Sequence, residues 1–127
     1  MLTLDLFKTF TTLDIETTGL EKDARIIEIG LAHYENGICV GTWQTLIRPD
    51  ITISYDISLL TGITNEMVKD APLWDDIVSD FLQEIEDKTL IAHNIDFDKS
   101  HLEYHLGFEL KNQCLDTYDL AKVFLPR

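Results

Sequence analysis

The spacing of hydrophobic and polar residues divides the first half of the chain into strands. Segments 7–15 and 26–34 are rich in Phe, Thr and Ile, which favours two β-strands. The pair Asn36-Gly37 tolerates positive φ and is followed by a third strand-like segment, 38–47. We therefore predict a hairpin in which the second and third strands pair antiparallel.

Helical patterns follow Pro49. Asp56 is predicted to cap a short helical turn that Gly62 ends, and Thr64 to cap another over 65–68. A longer amphipathic helix is predicted over 73–87, because apolar residues recur there at spacings of three and four: Trp74, Ile77, Val78, Phe81, Leu82 and Ile85.

The last part of the chain alternates strand and helix. We predict a short strand over 89–92, a helix over 97–106, a very short fifth strand at 114–115 and a last helix over 117–125. Three strands followed by alternating helix and strand predict one α/β domain over residues 1–127, with a mixed sheet and helices packed on it.

Composition and charge narrow the class of protein. A chain of 127 residues that is 45% hydrophobic and 26% charged is one globular domain or a fragment of one. Its longest stretch without Asp, Glu, Lys or Arg, 36–47, is too short to cross a bilayer. The N-terminus does not read as a signal peptide, so we expect a cytoplasmic protein with no membrane partner.

The two cysteines, Cys39 and Cys114, have no metal-ligand spacing and are expected to be buried, reduced thiols.

The net charge of −13 disfavours a protein that coats long nucleic acid. Clustered carboxylates that hold divalent cations can still bring a phosphate into a site, because the metal then sets the local charge. A metal-dependent phosphodiesterase therefore remains open.

Two segments carry candidate chemistry. Asp14 and Glu16 are two residues apart at the end of the first strand, so strand alternation places both carboxylates on one side. Asp98 is expected in the first turn of a helix, as a third carboxylate from a separate element. Carboxylate oxygens suit Mg²⁺ or Mn²⁺. Taken alone, the pair Asp14 and Glu16 is better explained as exposed charges where a strand leaves the sheet.

Four stretches together resemble one family. The motifs LDIETTGL at 13–20 and AHNIDFD at 92–98, with LTGIT at 60–64 and CLDTYDLAKVFLP at 114–126, resemble the DnaQ-like (DEDD) 3′-to-5′ exonucleases of the proofreading-subunit or DinG type. The resemblance implies a ribonuclease H-like fold and two Mg²⁺ or Mn²⁺ ions held by Asp14, Glu16 and Asp98. It also implies that the 3′-terminal nucleotide is held by the backbone of Thr17, Thr18, Gly19 and Leu20 together with Asn94.

The third motif of that family, a histidine followed five residues later by an aspartate, does not occur between Leu106 and Arg127. We therefore expect a domain truncated at its C-terminus, with the general base and a fourth carboxylate located after Arg127. His101 and His105, four residues apart on the predicted helix, could in principle bind zinc, but no third N or S ligand is near them in sequence. His101 stands where relatives usually have a bulky apolar residue, and we interpret it as partly buried packing.

The resemblance thus implies a 3′-to-5′ exonuclease that acts on single-stranded DNA or RNA ends, and it is compatible with an attached polymerase or helicase. The alternative is a catalytically silent exonuclease-like module that binds a nucleic-acid end or a partner protein. A small-molecule phosphatase using the same carboxylates fits less well, since residues 17–20 and Asn94 match a nucleotide-end site.

Overall fold

A mixed five-stranded sheet organises the protein, for which a computed structural model describes residues 8–118. The strand order is β3-β2-β1-β4-β5. β1 pairs antiparallel with β2 and parallel with β4, β2 pairs antiparallel with β3, and β4 pairs parallel with β5. The strands are β1 (Thr9–Thr17), β2 (Ile26–Glu35), β3 (Ile38–Leu46), β4 (Leu90–Ala92) and β5 (Cys114–Asp116).

The hairpin, the mixed sheet and all five strands are confirmed. β1 begins at Thr9 and ends two residues later than predicted, because Glu16 and Thr17 are still paired with β2. The first residue of the predicted strand 7–15 and most of the predicted last helix, 117–125, lie outside the described residues.

Four helices connect the strands: α1 (Tyr55–Thr61), α2 (Asn65–Val68), α3 (Trp74–Ile85) and α4 (Ile95–Leu106). Thr64 caps α2 as predicted. The prediction that Asp56 caps α1 is wrong, because the Ser54 hydroxyl accepts the bond from Ile57 N at 3.2 Å and Asp56 lies inside the first turn. α4 begins two residues earlier than predicted, after Asn94, which adopts φ 59°.

The main core lies between the sheet and α3. The helix buries Ile77, Phe81 and Ile85, the stripe that its periodicity predicted, while Trp74 and Leu82 are partly buried against the same cluster. The helix ends at Ile85, two residues before the predicted end. The hydrophobic effect, which removes this apolar stripe from water, is the main contribution that holds α3 on the sheet.

The expectation of two buried cysteines is wrong for Cys39. It lies on β3, which is an edge strand of the sheet, and its side chain is exposed; Cys114 is half-buried on β5. Among residues 8–118, no helix is long and apolar enough to cross a membrane.

We predict that Phe81→Ala lowers the free energy of unfolding by about 3–5 kcal/mol, because it leaves a cavity at a fully buried position. Urea denaturation measures the loss. Leu59→Ala is the control, since Leu59 is 67% exposed, and it should change the stability by less than about 0.5 kcal/mol. Equal losses in the two variants would contradict this description of the core.

Candidate active site

β1 presents Asp14 and Glu16 in the middle of the sheet. Alternation along the strand buries Leu13, Ile15 and Thr17, and it leaves Asp14 exposed and Glu16 half-buried on the other side. Glu16 stands opposite Glu28 of β2, and the register shifts directly after this pair. The predicted placement of both carboxylates on one side of the strand is confirmed.

The third carboxylate reaches β1 from α4. Asn94 occupies the left-handed region that Asn tolerates better than most residues, and α4 starts at the next residue. Asp98 therefore falls in the first helical turn, where its side chain is 6% exposed and accepts a hydrogen bond from the backbone N–H of Ile15. Since Ile15 separates Asp14 from Glu16, the buried carboxylate lies next to both.

Burial and the proximity of the three carboxylates raise the pKa values of two of them. Burial, followed by the charges of Asp14 and Glu16, raises the pKa of Asp98 to about 7, although the Ile15 N–H acts in the opposite direction. The pKa of Glu16 is also raised, by burial and by the neighbouring Asp14 and Glu28 carboxylates. The site therefore concentrates more negative charge than the surrounding groups neutralise.

A divalent cation fits this site by its chemistry, because carboxylate oxygens are the ligands that Mg²⁺ and Mn²⁺ prefer and a cation would offset the repulsion. Within residues 8–118, however, no group of three or more His, Cys, Asp or Glu side chains is arranged to enclose a metal ion. The assignment of Asp14, Glu16 and Asp98 as metal ligands thus stays a prediction.

A cleft of about 390 Å³ opens beside Glu16. Its lining includes three of the residues predicted to hold a nucleotide, namely Thr17, Gly19 and Leu20, and Leu20 is 86% exposed. The other wall is apolar and comes from distant segments: Ile57, Leu60 and Thr61 of α1, and Phe97 of α4. A larger cavity, of about 630 Å³ between α3 and residues 108–112, contains none of the predicted site residues.

Sequence reasoning missed this apolar wall. Leu60 belongs to the LTGIT motif, and Phe97 belongs to the AHNIDFD motif and begins the predicted helix 97–106, but neither motif assigns these side chains to a cleft. A signal was present for Phe97, since an aromatic residue directly before the predicted ligand Asp98 is a candidate surface on which a base can stack.

The structure does not bring Thr18 and Asn94 into the cleft lining. Thr18 N–H donates to Arg25 O at 2.9 Å, and the Thr18 hydroxyl accepts from Arg25 N at 2.9 Å, so both groups close the loop formed by residues 18–25. Asn94 is exposed at the start of α4, and its side chain makes no capping hydrogen bond. Their roles in nucleotide binding stay predictions.

His101 is more deeply buried than expected, at 3% exposure, and it is hydrogen-bonded rather than merely packed. Its Nε2 atom lies 2.9 Å from Glu21 O and its Nδ1 atom 2.9 Å from Phe97 O. His105 Nε2 lies 2.7 Å from Ala24 O. The alternative of a zinc site on this pair loses support, because these ring nitrogens face backbone carbonyls.

Asp116 is a further carboxylate near the site. It ends β5, and its two oxygens accept hydrogen bonds from Tyr118 N at 2.8 Å and Ile95 N at 3.1 Å. The backbone N–H of Tyr118, with those of Ile95 and Asn94, lowers the pKa of Asp116. Asp116 therefore ties the start of α4 to the sheet and helps to fix the position of Asp98.

Comparison with protein families identifies the family to which the chain belongs. The family model described as an exonuclease (RNase T) matches residues 11–127. The chain belongs to the DnaQ-like exonuclease family. Exonucleases of this family generally use divalent metal ions.

The curated relatives are mainly much longer proteins. The PolC-type DNA polymerase III of Caldanaerobacter subterraneus is 42% identical over 117 residues, which are 89% of this chain and 8% of that protein. The DNA polymerase III epsilon subunit of Treponema pallidum is 38% identical, over 92% of this chain and 57% of the relative. The 3′-5′ exonuclease DinG of Staphylococcus haemolyticus is 33% identical, over 92% of this chain and 14% of the relative.

Solved structures share the fold. Exonuclease X in complex with 5′-overhanging duplex DNA has a TM-score of 0.74 and 29% identity, over 92% of this chain and 64% of that chain. A complex designated ExoI/SSB-Ct has a TM-score of 0.76 at 16% identity, over 91% of this chain and 30% of that chain, which shows the fold alone. The predicted ribonuclease H-like α/β fold is confirmed.

We predict that Asp98 makes the metal-free protein less stable as the pH rises. With a folded-state pKa of about 7 against 3.8 as the ordinary value, the folded protein retains a proton that the unfolded chain loses between about pH 4 and pH 7. Stability contributed by this group is therefore complete below pH 4 and falls until about pH 7. Asp98→Asn should remove this slope and, relative to wild type, gain roughly 2–4 kcal/mol at pH 8 in chelator.

Urea denaturation of both proteins from pH 4 to pH 8 measures the difference. Asp96→Asn is the matched control, because Asp96 is exposed in the same helical turn and its replacement should leave the slope unchanged. If the free energy of unfolding depends on pH in the same way in wild type and Asp98→Asn, the Asp98 carboxylate is not repelled by Asp14 and Glu16 as described.

Proposed function

We propose that the protein hydrolyses nucleic-acid phosphodiester bonds one nucleotide at a time from a 3′ end. The observation that carries this proposal is the buried carboxylate of Asp98, bonded to Ile15 N–H between Asp14 and Glu16. In a member of an exonuclease family, such a concentration of carboxylates beside a cleft is what a cation-dependent phosphodiesterase requires.

Asp14, Glu16 and Asp98 would hold the metal ions, which we take to be two Mg²⁺ or Mn²⁺. When bound, these ions lower the pKa of a water molecule and stabilise charge on the leaving oxygen. The protein contributes the position of the carboxylates. Ile15 N–H fixes the Asp98 carboxylate, and the pairing of β1 with β2 fixes the positions of Asp14 and Glu16 on the central strand of the sheet.

The cleft beside Glu16 would take the terminal nucleotide. Leu20 on one side and Leu60 and Phe97 on the other offer apolar and aromatic surfaces on which a base can stack without sequence preference. Gly19 lies within the same lining, where backbone can approach the sugar and phosphate closely. The 3′-to-5′ direction is supported by a relative whose name states it, the DinG exonuclease.

The general base is proposed to come from sequence after Arg127. Neither a His-x-x-x-x-Asp motif after Leu106 nor a histidine on the cleft lining supplies one. His101 and His105 face backbone carbonyls instead. A histidine and a fourth carboxylate that follow Arg127 would complete the site, and the relative named as a PolC-type DNA polymerase III favours an attached polymerase.

The second candidate is a catalytically silent module that binds a nucleic-acid end or a partner protein. The same missing motif favours it, because without a base and a fourth carboxylate the cleft can bind an end without cleaving it.

We predict that residues 1–127 alone are nearly inert, since a general base contributes about 10²–10⁴-fold to the rate. A longer polypeptide that adds a His-x-x-x-x-Asp segment should shorten single-stranded oligonucleotides from the 3′ end in Mg²⁺ or Mn²⁺. Asp14→Ala should abolish this activity, whereas Asp96→Ala, an exposed carboxylate on α4, should retain it. Gel analysis of oligonucleotides labelled at the 5′ end measures all four proteins.

Strong Asp14-dependent activity of residues 1–127 would contradict the assignment of the missing base. An inactive longer polypeptide that still binds oligonucleotide ends would favour the silent module.

A further inference from the structure

The face of α4 that carries Asp98 also carries two histidines. His101 comes three residues after Asp98 and His105 four residues after His101, so the three side chains lie on one side of the helix. Asp98 contacts β1, whereas His101 and His105 contact the loop formed by residues 18–25. One helix face thus touches both the carboxylate site and the loop that leads into the cleft.

The contacts to the loop are specific hydrogen bonds. His101 Nε2 lies 2.9 Å from Glu21 O, and His105 Nε2 lies 2.7 Å from Ala24 O. Because a carbonyl oxygen can only accept, each of these ring nitrogens must carry the proton. Ala24 N also donates to Glu21 O at 3.0 Å, so the two histidines hold both ends of one tight turn.

The turn is connected directly to the cleft residues. Thr18 N–H and Arg25 O close the loop at 2.9 Å, and the Thr17 hydroxyl donates to Gly19 O at 2.7 Å. A shift of the turn at 21–24 must therefore move Gly19 and Leu20, which line the cleft.

His101 also acts on the opposite wall. Its ring packs on the Phe97 ring with centroids 4.2 Å apart. A neutral imidazole has one N–H, which here donates to Glu21 O, so ring packing is its contact with this wall even though Nδ1 lies 2.9 Å from Phe97 O. Phe97 lines the cleft across from Leu20. His101 is 3% exposed, so these contacts are made without competition from water.

We infer that His101 and His105 are positioning residues that fix the nucleotide-binding loop relative to the metal-binding carboxylates. This inference rests on the proposed function, since it assigns the 18–25 loop to the terminal nucleotide. By tying the loop to the helix that holds Asp98, the two histidines set the distance between the end of the substrate and the site of hydrolysis. A displacement of about 1 Å at such a point can cost a hundredfold in rate.

The test compares three variants of the full chain. His101→Phe keeps the buried volume and removes both ring nitrogens, and His101→Gln restores one N–H that can reach Glu21 O. Ser100→Ala is the matched control, because the Ser100 hydroxyl donates to the same Phe97 carbonyl, at 3.0 Å, without contacting the loop. The measurements are amide hydrogen exchange of residues 18–25, Mn²⁺ affinity, and the affinity for thymidine 5′-monophosphate in Mn²⁺.

His101→Phe should accelerate exchange in the 18–25 loop about tenfold or more, because the turn loses its anchor on α4. It should weaken thymidine 5′-monophosphate binding about tenfold and leave Mn²⁺ affinity unchanged, since Asp98 keeps its bond to Ile15. His101→Gln should recover most of both effects, and Ser100→Ala should show neither. If His101→Phe does not fold, His105→Leu, which replaces the half-buried histidine of the pair, should show the same local acceleration.

Unchanged exchange in the loop, or acceleration spread evenly over the whole chain, would overturn the inference and leave His101 a structural residue. Failure of the wild-type protein to bind thymidine 5′-monophosphate would instead overturn the proposed nucleotide site. The exchange data would still decide whether the two histidines hold the 18–25 loop on α4.

Discussion

The burial of the Asp98 carboxylate against the backbone of Ile15 is the constraint on which the site depends. A carboxylate that is 6% exposed and lies beside Asp14 and Glu16 is costly, and the single N–H of Ile15 offsets only part of that cost. The fold maintains this position because β1 is paired on both sides and because α4 starts at a left-handed Asn94. The protein thus retains three neighbouring carboxylates whose mutual repulsion a bound cation would reduce.

The same helix connects this charge to the recognition of a nucleic-acid end. From α4, Asp98 reaches the sheet, Phe97 forms one wall of the cleft, and His101 holds the loop that forms the other wall. Asp116 fixes the first turn of α4 through Ile95 N. In this arrangement one helix positions both a carboxylate and the walls of the cleft. The end of a substrate in the cleft is therefore kept at a fixed distance from the carboxylates.

Much of the fold and the outline of the site could be predicted from the sequence. Period-two alternation placed Asp14 and Glu16 together, and the 3.6 period identified the buried stripe of α3. Contacts between distant segments could not be predicted, because neither local propensity nor spacing encodes them. Leu60 approaches the cleft only after α1 folds back, and His101 meets Glu21 across 80 residues of sequence. Ser54 caps α1 instead of Asp56 because Ser54 has the extended backbone of an N-cap, with φ −68° and ψ 157°, whereas Asp56 is already inside the first helical turn.

The pKa of the Asp98 side chain is the most direct test of this account. Carboxyl ¹³C NMR of the full chain, with Asp98→Asn used to assign the signal, measures it with chelator and with millimolar Mg²⁺. We expect a pKa near 7 without the cation and a fall of at least about two units with it, because a bound cation favours the ionised carboxylate. A pKa of about 4 in both conditions would contradict it, since Asp98 would then be neither under strong repulsion nor close to a metal ion.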